Sequence, residues 1–317
     1  MHVLVAHTYE PERMEQLRAA FPNVRFERLP GGPPWSDTVR DANAMLFAGL
    51  KKPQLDDLLQ AAQGIEWIHT GSAGFDWVMV PEVERRGIVV TRSMDVMSIP
   101  IAEFVLTAML HHAKHVPHLM DAQARRSWEP PMHQELRGKT VLIVGVGSIG
   151  RRVAGLCRAF GMRTIGIKRD GAEHPSVDLM RTPAQVDEVL PEADHVVLCA
   201  PATPETRGMF DARRFALMKE GAYLINVARG SLIDDDALLE ALRSGTIAGA
   251  CLDAYDEEPL PENSPLWTAP NLFASPHASY RTPEIRDRVI EEFSANLRRR
   301  MRGEALVGTM RHAALGY

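Results

Sequence analysis

The spacing of three glycines constrains the fold of this chain more than any other feature of its sequence. Gly145, Gly147 and Gly150 form the pattern G-x-G-x-x-G directly after the apolar run 141–144, and residues 164–167 form a second apolar run. Apolar residues recur at helical spacing between the two runs, which predicts a strand–turn–helix–strand unit. The residues predicted to share the apolar face of this helix are Ile149, Val153, Leu156 and Phe160.

Each glycine would have a separate role in a turn that binds the diphosphate of a dinucleotide. Gly145 permits a tight reversal, Gly147 lets the phosphates approach the backbone, and Gly150 lets the helix pack closely on the strand. The helix N-terminus then presents N–H groups and a positive dipole end to the phosphates. The motif predicts a dinucleotide site, with an ordinary structural turn as the alternative. The residues of this predicted site are Gly145, Gly147, Ser148, Ile149 and Gly150.

Two basic residues follow the second strand, at the position that distinguishes the two nicotinamide dinucleotides. An NAD-binding unit usually has an acid there, which binds the ribose 2′-hydroxyl group. This chain has Lys168 and Arg169 instead, and two cations would attract a 2′-phosphate. We therefore expect NADP(H) to be preferred, with NAD(H) as a second cofactor. The alternative is a solvated basic turn in which Asp170 binds the ribose.

The composition indicates a globular protein with two domains that works in a reducing compartment. Of the 317 residues, 45% are hydrophobic and 24% are charged, and the net charge of −5 gives no sign of a broad basic surface. The three cysteines, Cys157, Cys199 and Cys251, are not clustered, which argues against a disulfide framework. The sequence also has no secretory signal pattern and no apolar run of membrane-spanning length. We expect a cytoplasmic protein with no nucleic-acid or membrane partner.

Residues 1–98 alternate between strand and helix patterns and predict a small α/β layer with a mostly parallel sheet. Within them, the loop at 69–77 is rich in small residues. Ser72, Ala73 and Gly74 in this loop would expose N–H groups that suit a carboxylate ligand, and a plain glycine turn is the alternative. Strands are predicted at 3–6, 24–28, 44–47, 65–69 and 88–90, and helices at 11–20 and 55–62.

The alternation continues in the rest of the chain. A long apolar helix is predicted from Pro100 to about residue 116, and it carries His111, His115 and His118 at helical spacing. Because no further ligand is evident, we predict no metal site. The arginines at 298–302 are predicted to end the last helix, where cations complement its dipole, rather than to bind nucleic acid. Further strands are predicted at 195–199, 222–227 and 248–252, and a helix at 235–244.

Several ordered motifs give the chain a family resemblance. They are SAGFD at 72–76, AEF at 102–104, ELRGKTVLIVGVGSIG at 135–150, PATPET at 201–206, NVARG at 226–230, the run from Asp253 through Glu258-Pro259, and SPH at 275–277. In the order and spacing of these motifs the chain resembles D-isomer-specific 2-hydroxyacid dehydrogenases of the glyoxylate/hydroxypyruvate reductase type.

The resemblance implies an architecture. The fold would be α/β, with two Rossmann/flavodoxin-like domains that contain parallel sheets and an active site in the cleft between them. Residues 1–98 with 283–317 would form the substrate (catalytic) domain, and residues 99–282 would form the dinucleotide-binding domain. The helix from Pro100 would form the contact of a homodimer.

The resemblance also implies a catalytic trio, and the chemistry of each residue suits its role. Arg229, at the carboxyl end of an apolar strand, could grip the carboxylate of a 2-keto acid and polarise its carbonyl. His277 would supply the proton to the carbonyl oxygen. Glu258 would hydrogen-bond the imidazolium and fix its orientation. Taken singly, each has an ordinary alternative: a surface arginine, a loop histidine, and Glu257 as a competitor for Glu258.

The resemblance assigns the remaining site positions and the reaction. The expected reaction is hydride transfer from NAD(P)H to a small 2-keto acid, such as glyoxylate or hydroxypyruvate, to give the D-2-hydroxy acid. Reduction of larger 2-keto acids and dinucleotide sensing without turnover are the alternatives. Tyr280 and Arg281 depart from the family pattern and leave specificity open. The expected substrate-binding residues are Ser72, Ala73, Gly74 and Arg229, and the further cofactor-binding residues are Lys168, Arg169, Ala200, Pro201, Thr206, Val227 and Asp253.

Overall fold

The computed structural model describes residues 1–6, 9–72, 74 and 77–310. The chain divides into two compact units, one formed by Met1–Met97 with Thr282–Tyr317 and the other by Ser98–Arg281. Each unit contains its own parallel sheet, so the predicted α/β class is confirmed. Every helix in the described part of the chain is too short or too polar to cross a membrane.

The first unit is built on a five-stranded sheet in the order β2-β1-β3-β4-β5, and all neighbouring strands run parallel. β1 and β3 are buried along their whole length, which explains why their sequences are apolar runs rather than alternating patterns. The strands are β1 (His2–Ala6), β2 (Arg25–Arg28), β3 (Ala44–Phe47), β4 (Trp67–Thr70) and β5 (Val89–Arg92), and the first three helices are α1 (Pro11–Ala20), α2 (Lys52–Ala61) and α3 (Pro81–Arg86).

The second unit is built on a seven-stranded sheet in the order β12-β11-β10-β9-β6-β7-β8. The strand order reverses at β6, because β7 pairs on one side of it and β9 on the other. In open α/β sheets a ligand binds beyond the carboxyl ends of the strands at such a reversal. The strands are β6 (Thr140–Val144), β7 (Arg163–Ile167), β8 (Leu179–Arg181), β9 (His195–Leu198), β10 (Tyr223–Asn226), β11 (Gly249–Leu252) and β12 (Leu272–Ala274), and the helices are α4 (Ser98–Ala113), α5 (Val116–Arg125), α6 (Ser148–Ala159), α7 (Val186–Val189), α8 (Ala212–Leu217) and α9 (Asp235–Ser244).

The last helix, α10 (Glu284–Met301), belongs to the first unit. On this helix the ring of Phe293 stacks on Trp67 of β4, with 5.3 Å between the ring centroids. Near its carboxyl end, Arg300 pairs with Glu66 at 2.6 Å. The helix therefore contacts the sheet through one stacked pair of rings and through an ion pair near its end.

The apolar face predicted for α6 is partly wrong. Phe160 was expected on that face, but it is 42% exposed. Small residues face the sheet instead, because the helix lies so close to the glycine turn that a Cβ on Gly150 would be 2.2 Å from the carbonyl oxygen of Gly145. The residues of α6 that are buried are Gly150, Val153, Ala154 and Cys157.

The helix predicted from Pro100 is in fact two helices. α4 ends at Ala113 and α5 begins at Val116, and His115 between them has a left-handed backbone with φ of 49°. His115 therefore lies in the break and His118 lies on the second helix, so the histidines do not share one helical face. Among the described residues, no group of three or more His, Cys, Asp or Glu side chains could hold a metal ion.

Candidate active site

The glycine turn between β6 and α6 admits only glycine at two of its three positions. Gly145 has φ of 101°, and a Cβ on it would lie 2.6 Å from the nitrogen of Ala200. A Cβ on Gly150 would lie 2.2 Å from the Gly145 oxygen, whereas a Cβ on Gly147 would meet no atom of the described residues within 4 Å. The backbone is thus closely packed behind the turn and open in front of Gly147. This arrangement fits a diphosphate, which must approach the backbone and the N–H groups of the helix start.

The carboxyl ends of β9, β10 and β11 lie at the same edge of the sheet as the glycine turn, because these strands run parallel to β6. In the loop after β9, Thr206 donates a hydrogen bond from Oγ1 to the carbonyl of Pro201 at 2.8 Å and accepts one from the N–H of Thr203 at 2.8 Å. The hydroxyl therefore closes this loop on itself. The predicted cofactor positions that follow these three strands are Ala200, Pro201, Thr206, Val227 and Asp253.

The basic pair at the end of β7 is partly neutralised by its neighbour. Lys168 Nζ lies 3.1 Å from Asp170 Oδ2, and the other carboxylate oxygen of Asp170 accepts the N–H of Ala172 at 3.1 Å. The backbone N–H of Ala172 and then the Lys168 ammonium lower the pKa of the Asp170 carboxyl. A ribose hydroxyl that bound to Asp170 would have to compete with this ion pair.

His277 and Glu258 form a direct contact in the second unit. Nδ1 of His277 lies 2.8 Å from one carboxylate oxygen of Glu258, and the other oxygen accepts the N–H of Tyr255 at 2.9 Å. With both oxygens engaged, the carboxylate is fixed and favours a proton on Nδ1 of the imidazole. Nε2 is then the ring nitrogen that can exchange a proton with a substrate. The ring of Tyr280 stands edge-on to the imidazole, with 6.0 Å between the centroids.

Asp253 holds the loop that carries His277. Its side chain is 1% exposed, and Oδ1 accepts the Ser275 hydroxyl at 2.7 Å and the N–H of Ala278 at 2.7 Å. The N–H of Ser279 donates to both oxygens, at 3.2 and 3.1 Å. The loop on either side of His277 is therefore tied to one buried carboxylate. The sequence placed Asp253 near the cofactor but gave no sign of this second role.

Arg229 stands in a turn that its neighbours make rigid. Asn226, at the end of β10, donates from Nδ2 to the carbonyl of Arg229 at 2.9 Å and accepts the N–H of Ala228 at 3.0 Å. A Cβ on Gly230 would lie 1.9 Å from the carbonyl carbon of Tyr255, so this turn packs on the segment that leads to Glu258. Asn226 is a residue that the sequence analysis missed; a polar side chain at the end of the apolar run LIN was the available signal.

The predicted carboxylate loop lies in the first unit. Ser72 donates from Oγ to the carbonyl of Gly74 at 2.5 Å, and its hydroxyl also lies 3.0 Å from that of Thr70. A Cβ on Gly71 would lie 3.0 Å from a methyl group of Val289 on α10, so the start of the loop is closely packed. Ala73 lies outside the described residues.

Comparison with known proteins identifies the family. Residues 106–279 match the family model described as D-isomer specific 2-hydroxyacid dehydrogenase, NAD binding domain. The chain belongs to the D-isomer specific 2-hydroxyacid dehydrogenase family. A glyoxylate reductase from Thermofilum pendens is 34% identical over 84% of this chain and 80% of its own length. A D-3-phosphoglycerate dehydrogenase from Methanocaldococcus jannaschii is 33% identical, but the chain spans only 51% of its length.

Solved structures of this family are similar over nearly the whole chain. A D-isomer specific 2-hydroxyacid dehydrogenase from Xanthobacter autotrophicus, in complex with NADPH and MES, has a TM-score of 0.87 and 28% identity, over 100% of this chain and 99% of its own. The NADPH-dependent glyoxylate/hydroxypyruvate reductase SmGhrA from Sinorhizobium meliloti, in complex with NADP and sulfate, has a TM-score of 0.87 and 26% identity over the same shares. The resemblance inferred from the sequence motifs is confirmed.

As a dehydrogenase of this family, the protein is an oxidoreductase that uses a nicotinamide dinucleotide. When bound, the reduced nicotinamide supplies the hydride for reduction of a 2-keto acid. The glycine turn would hold the diphosphate. The residues after β9, β10 and β11 lie where open sheets of this type bind the rest of such a ligand.

Proposed function

We propose that the protein reduces glyoxylate or hydroxypyruvate to the D-2-hydroxy acid, with NADPH preferred and NADH as a second cofactor. The observation that carries this proposal is the contact of 2.8 Å between His277 and Glu258. It lies in the same unit as Arg229 and the glycine turn, and a fixed imidazole is what proton transfer to a carbonyl oxygen requires. The curated relatives named glyoxylate reductase support the choice of a small 2-keto acid.

The reaction divides between three side chains. The guanidinium of Arg229 grips the carboxylate of the keto acid and polarises the carbonyl next to it. The imidazolium of His277 gives the proton on Nε2 to the carbonyl oxygen as the carbonyl carbon accepts a hydride. The Glu258 carboxylate accepts a hydrogen bond from Nδ1 and so holds the ring in one orientation. In the reverse direction the neutral imidazole removes the hydroxyl proton.

The proposal also covers the residues that bind the substrate and the roles of the two domains. The backbone N–H groups at Ser72, Ala73 and Gly74 are the proposed groups of the first unit that bind the substrate carboxylate. Residues 1–98 with 283–317 then form the substrate domain, and residues 99–282 form the dinucleotide domain. The hydrogen bond from Ser72 Oγ to the carbonyl of Gly74 supports the proposal, because it joins a hydroxyl to a carbonyl and uses none of the N–H groups of this loop.

The preference for NADPH rests on Lys168 and Arg169 at the end of β7. Two cations there attract a 2′-phosphate, whereas the usual partner of a ribose 2′-hydroxyl at this position is an acid. Asp170 is already paired with Lys168 at 3.1 Å, which weakens the alternative that it binds the ribose. The NADP-bound relatives agree with this preference.

A steady-state panel tests the proposed function. Glyoxylate, hydroxypyruvate, pyruvate, a branched and an aromatic 2-keto acid are each assayed with NADPH and with NADH. We expect the largest kcat/KM for the two small acids with NADPH, because two cations favour the 2′-phosphate and Tyr280 takes up space beside His277. A larger acid as the best substrate would favour the alternative reductase. Tight NADPH binding without turnover of any acid would favour a dinucleotide sensor.

We also propose a homodimer, and the structure suggests a contact surface beyond α4. Many apolar residues of α4 are buried within the second unit, whereas the segment that follows it exposes large apolar side chains. Trp128 is 97% exposed and Met132 is 89% exposed. Covering such residues with a second copy of the chain would remove apolar surface from water.

A further inference from the structure

The first turn of α6 carries a cation where a helix ordinarily favours an anion. The first turn of this helix contains no acidic residue, and Gly150 is followed by Arg151 and Arg152. A helix N-terminus carries a partial positive charge, so a nearby cation is destabilising unless an anion lies between them. Helix α9 is the ordinary case, with Asp234 as its N-cap and Asp235 in its first turn.

The two arginines after the glycine motif differ in what they contact. Arg152 donates from Nε to the hydroxyl of Ser98, at 3.1 Å, and so ties α6 to the start of α4. Arg151 turns back along the helix, and its Nε donates to the carbonyl of Gly147 at 3.2 Å. Its guanidinium therefore lies at the glycine turn itself, beside the residue that has open space in front of it.

The contact of Arg151 with Gly147 uses only Nε, so the Nη groups can still donate to a phosphate. A guanidinium has five N–H groups in a planar fork that matches phosphate oxygens. Among the described residues, the guanidinium of Arg151 donates only through Nε, and this side chain is exposed. The Nη groups can therefore turn toward an anion at the start of α6 without breaking a bond within the protein.

We propose that Arg151 binds the diphosphate of the nicotinamide dinucleotide and so contributes equally to the affinity for NADH and NADPH. This inference rests on the dinucleotide site and concerns a residue that the sequence analysis did not include. The basic residues then have two different roles. Arg151 binds the diphosphate, which both dinucleotides have, whereas Lys168 and Arg169 bind the 2′-phosphate, which only NADPH has.

The test is a fluorescence titration of Arg151→Gln with NADH and with NADPH. We expect both Kd values to rise by the same factor, about tenfold, because a charge-assisted bond to a shared group is lost. The ratio of the two Kd values should stay unchanged, and the difference from the unsubstituted protein should shrink at high salt. Calorimetry with ADP-ribose, which keeps the diphosphate but has no nicotinamide, should give a similar loss.

Two matched variants separate a local contact from a change in net charge. Arg158→Gln removes the same charge from an exposed site at the other end of α6 and should leave both Kd values unchanged. Arg151→Lys should recover part of the affinity. Unchanged affinity in Arg151→Gln, a loss confined to NADPH, or an equal loss in Arg158→Gln would each overturn the proposal. If the unsubstituted protein bound neither dinucleotide, the dinucleotide site itself would be refuted.

Discussion

At the scale of single residues, the candidate site depends on side chains that fix other side chains. Glu258 orients His277 directly, Asp253 holds the loop around His277, and Asn226 holds the turn of Arg229. The sequence motifs predicted residues that would meet the substrate. The contact of Glu258 with His277 was implied by the resemblance. The contacts of Asp253 were not, because hydrogen bonds across 22 to 25 residues of chain leave no local pattern.

Replacement of Asp253 by alanine distinguishes its two possible roles. We expect kcat to fall at least tenfold, because the N–H groups of Ala278 and Ser279 lose a buried acceptor and the loop of His277 loosens. If Asp253 only positions this loop, the Kd of NADPH should change less than twofold. Titration of NADPH fluorescence beside steady-state kinetics provides the comparison, and Ser275→Ala, which removes one of the donors, should give a smaller effect. A rise in Kd as large as the fall in kcat would instead indicate direct contact with the cofactor.

At the scale of secondary structure, the predicted bounds of an element match the structure where local sequence signals, such as a helix cap, determine where it begins and ends. α1, β3 and α9 have the predicted bounds, and Asp234 caps α9 by accepting the N–H of Ala237. The face of α6 was mispredicted because tertiary packing against the glycine turn favours small residues. The short edge strand β12 has no distinctive periodicity, so the sequence did not reveal it. The break at His115 was missed although Pro117, in the first turn of α5, marks a helix boundary.

The glycine turn gives a paired prediction at this scale. Gly147→Ala should fold normally, since its φ is −90° and a Cβ there meets no described atom within 4 Å. It should nevertheless lose at least tenfold in dinucleotide affinity, because the methyl group occupies the space that the phosphates need. Gly150→Ala should lower the thermal midpoint by several degrees, because its Cβ would lie 2.2 Å from a carbonyl oxygen. Thermal melts without NADPH measure the stability of each variant, and the rise in the midpoint on adding NADPH reports its affinity. Normal affinity in Gly147→Ala would contradict the proposed diphosphate position.

At the scale of the whole molecule, buried histidines should make folding stability depend on pH. Burial lowers the pKa of His69 to about 4 in the first unit and that of His195 to about 4 in the second. Unfolding returns each to about 6.5, so the unfolded chain binds more protons and stability falls as pH drops from 6.5 towards 4. Each histidine should contribute a slope of about 1.4 kcal/mol per pH unit near pH 5.

Urea denaturation between pH 5 and pH 7 measures this slope. His69→Gln should reduce the slope near pH 5 by about 1.4 kcal/mol per pH unit, which corresponds to one bound proton. This reduction should appear whatever the variant does to the free energy of unfolding at pH 7. The exposed residue His133 provides the comparison, since His133→Gln makes the same substitution at the surface. An unaltered slope in His69→Gln would mean that this imidazole is not held neutral in the folded protein.

The proposed homodimer is the second prediction at this scale. Light scattering after size-exclusion chromatography should give a mass of two chains. Trp128→Glu with Met132→Glu should shift the protein to a single chain, because two carboxylates would be buried at the contact. Trp267, which is 51% exposed, supplies the control Trp267→Glu, which should not change the mass. A single-chain mass for the unsubstituted protein would refute the dimer.

The role of His277 as proton donor is tested most directly by the turnover of His277→Ala with glyoxylate and NADPH. The Kd of NADPH should be unchanged, because the imidazole is bound to Glu258 and not to the glycine turn. We expect kcat to fall by about two to four orders of magnitude, the usual contribution of a general acid, and His133→Ala to retain full turnover. Turnover of His277→Ala at the rate of the unsubstituted protein would contradict the mechanism.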